Sequence, residues 1–251
     1  MESLPIITSD LLSRFPEIVF GMSTRRGGVS PNPLGMNTSF TVGDNPLHVN
    51  ANRKLLCERL GIRTEDVVYQ KQVHGTTVKS VREPGTHESC DALYTNTRGI
   101  YLTVSVADCL PILIYDAKKN AVAGVHAGWR GSRDKIVVKA VEALMNDFHS
   151  SPADLIAYIG PGAGTCCYEV GKDLAGEFDG KYLHANGEKK SHLDLKSVNR
   201  DLLMLLGVSS VNIEQSEHCT ICNAELFHSH RRDKERSGRM MAVIGMKNRA
   251  A

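Results

Sequence analysis

The sequence predicts a single α/β domain spanning residues 1–251, on three observations. Short apolar runs of strand length alternate with longer segments of helical periodicity along the whole chain. No repeat, low-complexity tract or Pro/Gly/Ser-rich linker divides them. With 251 residues, 41% of them hydrophobic, the chain is long enough to bury a full core.

Taken in order, Ile18–Met22 (IVFGM) reads as a strand leading into Ser23–Ser30. There Gly27 and Gly28 free the backbone while Arg25 and Arg26 supply charge, which suits either a phosphate loop or a solvated turn. The aperiodic stretch Pro31–Pro46 is expected to border a pocket. Asn37, within it, is a candidate substrate contact. Val49, Leu55, Leu56 and Leu60 have helical spacing, with Gly61 as the stop and Cys57 as a core thiol. Val67–Val73 reads as a strand ending in Gln72-Val73-His74-Gly75, where a lone histidine before glycine is by default a turn residue. Asp91–Thr95 and Gly99–Val106 are further strands, the second delivering Asp108 and Cys109 at its end. After Gly131, Asp134 is expected to cap a helix whose core stripe is Val137, Val141, Leu144 and Phe148. Leu155–Ile159 is a buried strand followed by glycines whose spacing fits no nucleotide-binding fingerprint. Tyr168–Gly171 opens a short helix. Asp194 caps another, with Leu195, Val198, Leu202 and Leu205 on one face, and Met240–Met246 is the last strand.

A formal net charge of +2 predicts neither a nucleic-acid binder nor a polybasic membrane anchor. The start, MESLPIITSDLLSRF, lacks a basic segment before a long apolar run, so no secretory leader is expected. No stretch approaches the roughly 20 apolar residues of a spanning helix. Seven cysteines cannot all pair, which points to a reducing, cytoplasmic setting.

The chemistry is expected between Ala107 and Gly131. Pro111–Tyr115 and Ala121–Val125 flank the polar turn Asp116–Asn120, a hairpin signal. Cys109 and His126 are equidistant from a turn centred between Ala117 and Lys118, so they face each other with Cα atoms about 5 Å apart. One step of register slip makes them diagonal neighbours. Such a pair is a nucleophile with its base, or part of a zinc site completed by another ligand, or a buried thiol near an unrelated histidine. Cys219-Thr-Ile-Cys222 has no second C-x-x-C to complete a zinc site, and the adjacent Cys166 and Cys167 are poorly placed to pair with each other.

Five motifs in a fixed order carry a family resemblance: Gln72-Val73-His74-Gly75; Ala107-Asp108-Cys109-Leu110-Pro111; His126-Ala127-Gly128-Trp129-Arg130-Gly131; Gly160-Pro161 with Tyr168-Glu169-Val170-Gly171; and Cys219-Thr220 with Arg231-Arg232-Asp233. From Thr24 to about Met246 the chain resembles the YfiH-like family. Its members carry the label multicopper polyphenol oxidoreductase (laccase domain) and are described as zinc-dependent purine nucleoside phosphorylases. The resemblance implies a four-layer α/β/β/α sandwich with mixed sheets and zinc held by His74, Cys109 and His126. It also implies phosphorolysis of adenosine, inosine, guanosine and methylthioadenosine, with adenosine deamination as a second activity. His228 and His230 depart from the aromatic residues usual before Arg231-Arg232-Asp233.

For phosphate, Arg130 is the leading contact, because it follows His126 closely and offers a planar fork, with Arg25 second. Gln72 is grouped with Asn37 as a further substrate contact, and Asp108 is a candidate acid or an orienting group. Three other readings stay open. Cys109 and His126 serve a cysteine hydrolase or amidase, including one that edits peptidoglycan precursors. A copper (Cu2+) laccase suits the same ligands, but only His228-Ser-His230 has the His-x-His form of a trinuclear cluster. The last reading is a zinc-binding partner protein without catalysis.

Overall fold

Side-chain alternation along the central strands builds two sheets that share one interior. In the computed structural model, which describes residues 4–186 and 190–248, the strands in chain order are β1 (Ile6–Ile7), β2 (Ile18–Ser23), β3 (Val67–Gln70), β4 (Val78–Ser80), β5 (Gly85–His87), β6 (Ala92–Thr95), β7 (Tyr101–Val106), β8 (Leu110–Asp116), β9 (Ala121–Ala127), β10 (Leu155–Ile159), β11 (Glu169–Gly171), β12 (Leu183–Asn186), β13 (Lys190–Leu193), β14 (Ile213–Gln215) and β15 (Met240–Met246). The α-helices are α1 (Pro46–Leu60), α2 (Trp129–Arg133), α3 (Ile136–Phe148), α4 (Lys172–Ala175), α5 (Leu195–Leu205) and α6 (His230–Asp233). Among the described residues, one mixed sheet has the order β1-β2-β15-β7-β3-β5 and the other β14-β10-β8-β9-β6-β4, with β11-β13-β12 as a small third sheet.

Along β15, Met240, Ala242, Ile244 and Met246 point into the space between the sheets, while Met241 and Val243 point outward onto α1. Along β8, Leu113 and Tyr115 share that inner space, and Leu110, Ile112 and Ile114 face the cluster that contains Val137, Val141 and Leu144 of α3. Three buried clusters therefore alternate with two sheets, giving four layers, α/β/β/α. Gly124 of β9 brings the sheets close, since a Cβ there would meet Val104 at 3.2 Å. Among the described residues, no helix is long and apolar enough to cross a membrane.

The connections matter most for function. The chain crosses from the first sheet to the second three times, between β3 and β4, β5 and β6, and β7 and β8. These crossings carry His74, Asp91 and Cys109.

Most of the expected elements are present; several details differ. Helix α1 starts earlier, at Pro46, with Asn45 as its cap, and Gly61 ends it at φ 69. In the β8–β9 hairpin, Asp116 opposes Ala121 and His126 opposes Pro111, so Cys109 and His126 are diagonal. The cause is the turn: the Asp116 carboxylate accepts the amides of Lys118 and Lys119, both at 2.9 Å, and Asn120 takes φ 52. Asp134 does not cap α3. It closes the short α2, its carboxylate is claimed by the Arg133 guanidinium at 2.8 and 3.0 Å, and Lys135 precedes α3. Asp194 caps α5 as expected, its carboxylate taking the Ser197 amide at 3.0 Å. Leu205, however, is 83% exposed at the last turn, and Leu203 is buried instead.

Candidate metal centre

Two histidines and a cysteine from separate parts of the chain converge at one edge of the sandwich. Cys109 lies one residue before β8, after Asp108, which turns the chain at φ 88. His126 stands near the end of β9. His74 sits in the left-handed region at φ 59, within the crossing that follows β3. Their ligand atoms lie within 4.8 Å of one another, and the two imidazole rings meet edge to face at 4.9 Å.

Asp91 holds the arrangement together, and the sequence reading gave it no role beyond starting a strand. It is fully buried. Its Oδ1 accepts the His74 amide at 2.9 Å and faces His126 Nδ1 at 2.8 Å; its Oδ2 accepts the amides of Gly75 at 2.8 Å and Val73 at 3.2 Å. One carboxylate thus fixes the backbone of one histidine and the ring of the other. With Nδ1 occupied, His126 presents Nε2 to Cys109, the usual way a carboxylate orients a metal-binding imidazole. Burial would raise the Asp91 carboxyl, yet these bonds outweigh it and hold it below the ordinary value.

The electrostatics suit a metal ligand. Burial alone would push the Cys109 thiol up, but the His126 and His74 imidazoles bring it down to about 6. Burial would likewise depress His126, while the Cys109 charge and the Asp91 bond lift it to about 9. A thiolate and two imidazoles form a donor set for a borderline-soft divalent ion. Gly128 completes the cradle, because a Cβ there would stand 3.0 Å from Cys109 Sγ and 3.4 Å from His74. The residues fit a metal.

The centre lies in a cavity of about 890 Å³. Phe40, Tyr69, Trp129 and Tyr168 supply aromatic surface, and Arg53, Arg231, Lys234 and Arg239 supply positive charge. Arg53 is clamped between the Phe40 and Tyr69 rings, at 4.4 and 4.1 Å. Burial, with the Cys109 charge nearby, pushes the Tyr168 phenol up to about 12, so it remains a neutral O–H donor.

The other expected contacts divide. Asp108 lines the cavity, but its oxygens already accept the Thr220 hydroxyl at 2.7 Å and the Arg231 amide at 2.6 Å. Gln72 also lines it, with its amide paired to both backbone groups of Ser105, at 2.7 and 2.8 Å. Three residues are not brought to this cavity wall. Arg25 spends its guanidinium on the carbonyls of Ala224 and Pro33, beside a separate surface pocket. Asn37 is fully buried and acts at one remove, its Oδ1 accepting the Arg239 amide at 3.0 Å. Arg130 lies over the Trp129 ring at 4.4 Å, because the first turn of α2 turns Trp129 to the cavity.

Residues 19–247 match the family described as multi-copper polyphenol oxidoreductase laccase. The purine nucleoside phosphorylase YlmD of Bacillus subtilis (strain 168) is 35% identical, over 92% of this chain and 89% of its own length. Adenosine deaminase RL5, from an unknown prokaryotic organism, is 34% identical, over 91% of this chain and 94% of its own. The solved structure of the hypothetical protein YfiH of Bacillus licheniformis superimposes with a TM-score of 0.92 at 32% identity, covering 98% of each chain.

Proposed function

The chain belongs to the multi-copper polyphenol oxidoreductase laccase family, and on that footing we propose that it is a zinc-dependent purine nucleoside phosphorylase that also deaminates adenosine. Relatives named for both activities support the reading. The observation that carries it is a single cavity that joins a thiolate–imidazole donor set, aromatic surface for a base and a cationic wall for phosphate.

His74, Cys109 and His126 would hold the zinc, which when bound would supply Lewis-acid polarisation of a substrate oxygen. The remaining steps fall to the chain's own residues. Trp129 and Tyr69 offer faces on which a purine stacks. Arg231 and Arg239, which line the cavity where Arg130 and Arg25 do not, hold and aim the phosphate with the guanidinium N–H groups left over from their bonds to the Glu169, Ser237 and Gly238 carbonyls. Phosphorolysis forms the bond from a phosphate oxygen to the anomeric carbon, while the glycosidic electron pair leaves with the purine, which takes up the proton that the monohydrogen phosphate carried in. Tyr168 keeps its own proton and donates a hydrogen bond to the leaving base. Asp108, both oxygens engaged, serves as the anchor of the first turn of α6 rather than as an acid.

A cysteine hydrolase reading retains one specific observation, the lowered Cys109 thiol beside His126. A laccase would need histidine pairs for further coppers, whereas the second ligand cluster among the described residues consists of cysteines. The test is product identification from adenosine with and without phosphate. Adenine formed only with phosphate, and inosine with ammonia formed in either case, are expected. Unchanged adenosine under both conditions with zinc-loaded protein would overturn the proposal.

A further inference from the structure

The C-x-x-C motif of the sequence gains a second pair in space. The loop that follows β10 brings Cys166 and Cys167 against Cys219 and Cys222, and all four sulfurs lie within 4.8 Å of one another. Cys166 Sγ and Cys222 Sγ are 3.6 Å apart. A tetrahedral zinc with Zn–S bonds near 2.3 Å has sulfur–sulfur edges of about 3.8 Å, so the cluster already has nearly the size of such a shell.

Three further features point to a metal rather than to four unrelated thiols. The amides of Gly164, Ile221 and Cys222 donate to Cys219 Sγ, the first at 3.3 Å, as expected where backbone N–H groups stabilise a ligating thiolate. Gly164 lets the two loops close, since a Cβ there would stand 3.0 Å from Cys219 Cβ and 3.5 Å from Cys166 Sγ. Lys196 is 8% exposed, its Nζ tied to the carbonyls of Ser216 and His218, and its charge acts on Cys219, Cys166 and Cys222. A buried ammonium is costly alone, but it offsets part of the net negative charge of a zinc tetrathiolate.

We infer that Cys166, Cys167, Cys219 and Cys222 form a second, structural zinc site. It is independent of the His74–Cys109–His126 centre and of the reaction proposed there. Cys219 and Cys222 bind as a knuckle, and the exposed residues Cys166 and Cys222 leave a path for the ion. The site staples two loops behind the cavity. Thr220, next to Cys219, bonds Asp108, and Tyr168, next to Cys167, lines the cavity wall. Closed four-ligand coordination without an open position gives the ion a folding role, since its binding energy is gained only when the loops are in place.

The test is metal stoichiometry of the full chain, purified in zinc and freed of loosely held ions. About two zinc ions per chain are expected in the wild type and about one in Cys109→Ala, held by the four cysteines. The double variant Cys166→Ser/Cys222→Ser alters exposed side chains only. It should keep one zinc at the other centre and unfold at a lower temperature. Should the double variant not fold, Cys109→Ala alone decides: reloaded with cobalt, it should give the intense spectrum of a tetrahedral tetrathiolate. The proposal is overturned if Cys109→Ala binds no zinc or cobalt, if it binds iron in preference to zinc, or if thiol counting finds Cys166 and Cys222 joined as a disulfide.

Discussion

Replacing Asp91 with Asn tests how the metal centre is held, because it keeps the shape and removes the charge. In the native protein both oxygens accept, one from Gly75 and Val73, the other from His74 and His126. An asparagine has one accepting oxygen and an NH2 that donates. If the NH2 faces Gly75 and Val73, two amides lose their acceptor. If it faces His126, the ring must accept at Nδ1, which puts its proton on Nε2, where the metal should bind. The first orientation forfeits two hydrogen bonds to a charged group, and the second forfeits one and leaves the other as a weaker neutral bond; at about 1.5–3 kcal/mol for each charged bond, roughly 3 kcal/mol of stability should go. At about 2–4 °C per kcal/mol for a chain of this size, Tm should fall by roughly 6–12 °C. Loss of such a carboxylate partner also weakens metal binding by about 10- to 100-fold. Thermal unfolding and competition with a chromophoric chelator measure the two effects. An Asp91→Asn protein with unchanged Tm and unchanged metal affinity would refute the idea that one carboxylate fixes both histidines.

Three more outcomes follow from the same structure. His228 is fully buried, and burial with the nearby Arg25 charge drops its pKa from 6.5 to about 3. The neutral ring is therefore the native form, its stability is present above pH 6.5, and about 2 kcal/mol should be lost between pH 7 and 5. His228→Phe should flatten that loss in denaturant titrations, and an equally steep profile would contradict it. Chelation should abolish activity, zinc should restore it, and stripped Cys109 should alkylate with an apparent pKa of about 6 while the loaded protein is protected. Activity that survives complete metal removal but not alkylation would favour the cysteine hydrolase. Arg231→Ala, which leaves the backbone bond to Asp108 intact, should raise the phosphate KM about ten- to a hundredfold without matching loss of deamination, whereas Arg130→Ala should leave that KM nearly unchanged. The reverse ranking would return the phosphate site to Arg130.

Local physics made the framework legible and left the support of the site hidden. The periodicity of Val137, Val141 and Leu144, the Asp194 cap and the apolar runs Leu155–Ile159 and Met240–Met246 depend on near neighbours, and each stands as expected. The hairpin partners were legible too, but the register turned on the Asp116 carboxylate taking two turn amides. Asp91 looked like the first residue of a strand. Its partners, Val73 to Gly75 and His126, reach it only through the sheet crossings, which no spacing in the sequence encodes. One signal was available: an acid at the head of the apolar run Ala92–Thr95 is costly to bury unless it is bonded. Arg130 followed His126 too closely in sequence to be dismissed, yet the helical turn of α2 sends it over Trp129. The cysteine pairs were visible only separately, because adjacent Cys166 and Cys167 do not have the spacing of a zinc knuckle.

The decisive measurement is the release of free base from inosine by the zinc-loaded protein, followed against phosphate concentration beside folded Cys109→Ala. Hypoxanthine should appear only with phosphate, match ribose 1-phosphate mole for mole, and be lost in the variant. Release that ignores phosphate, or that persists in Cys109→Ala, would contradict a phosphorylase built on His74, Cys109 and His126.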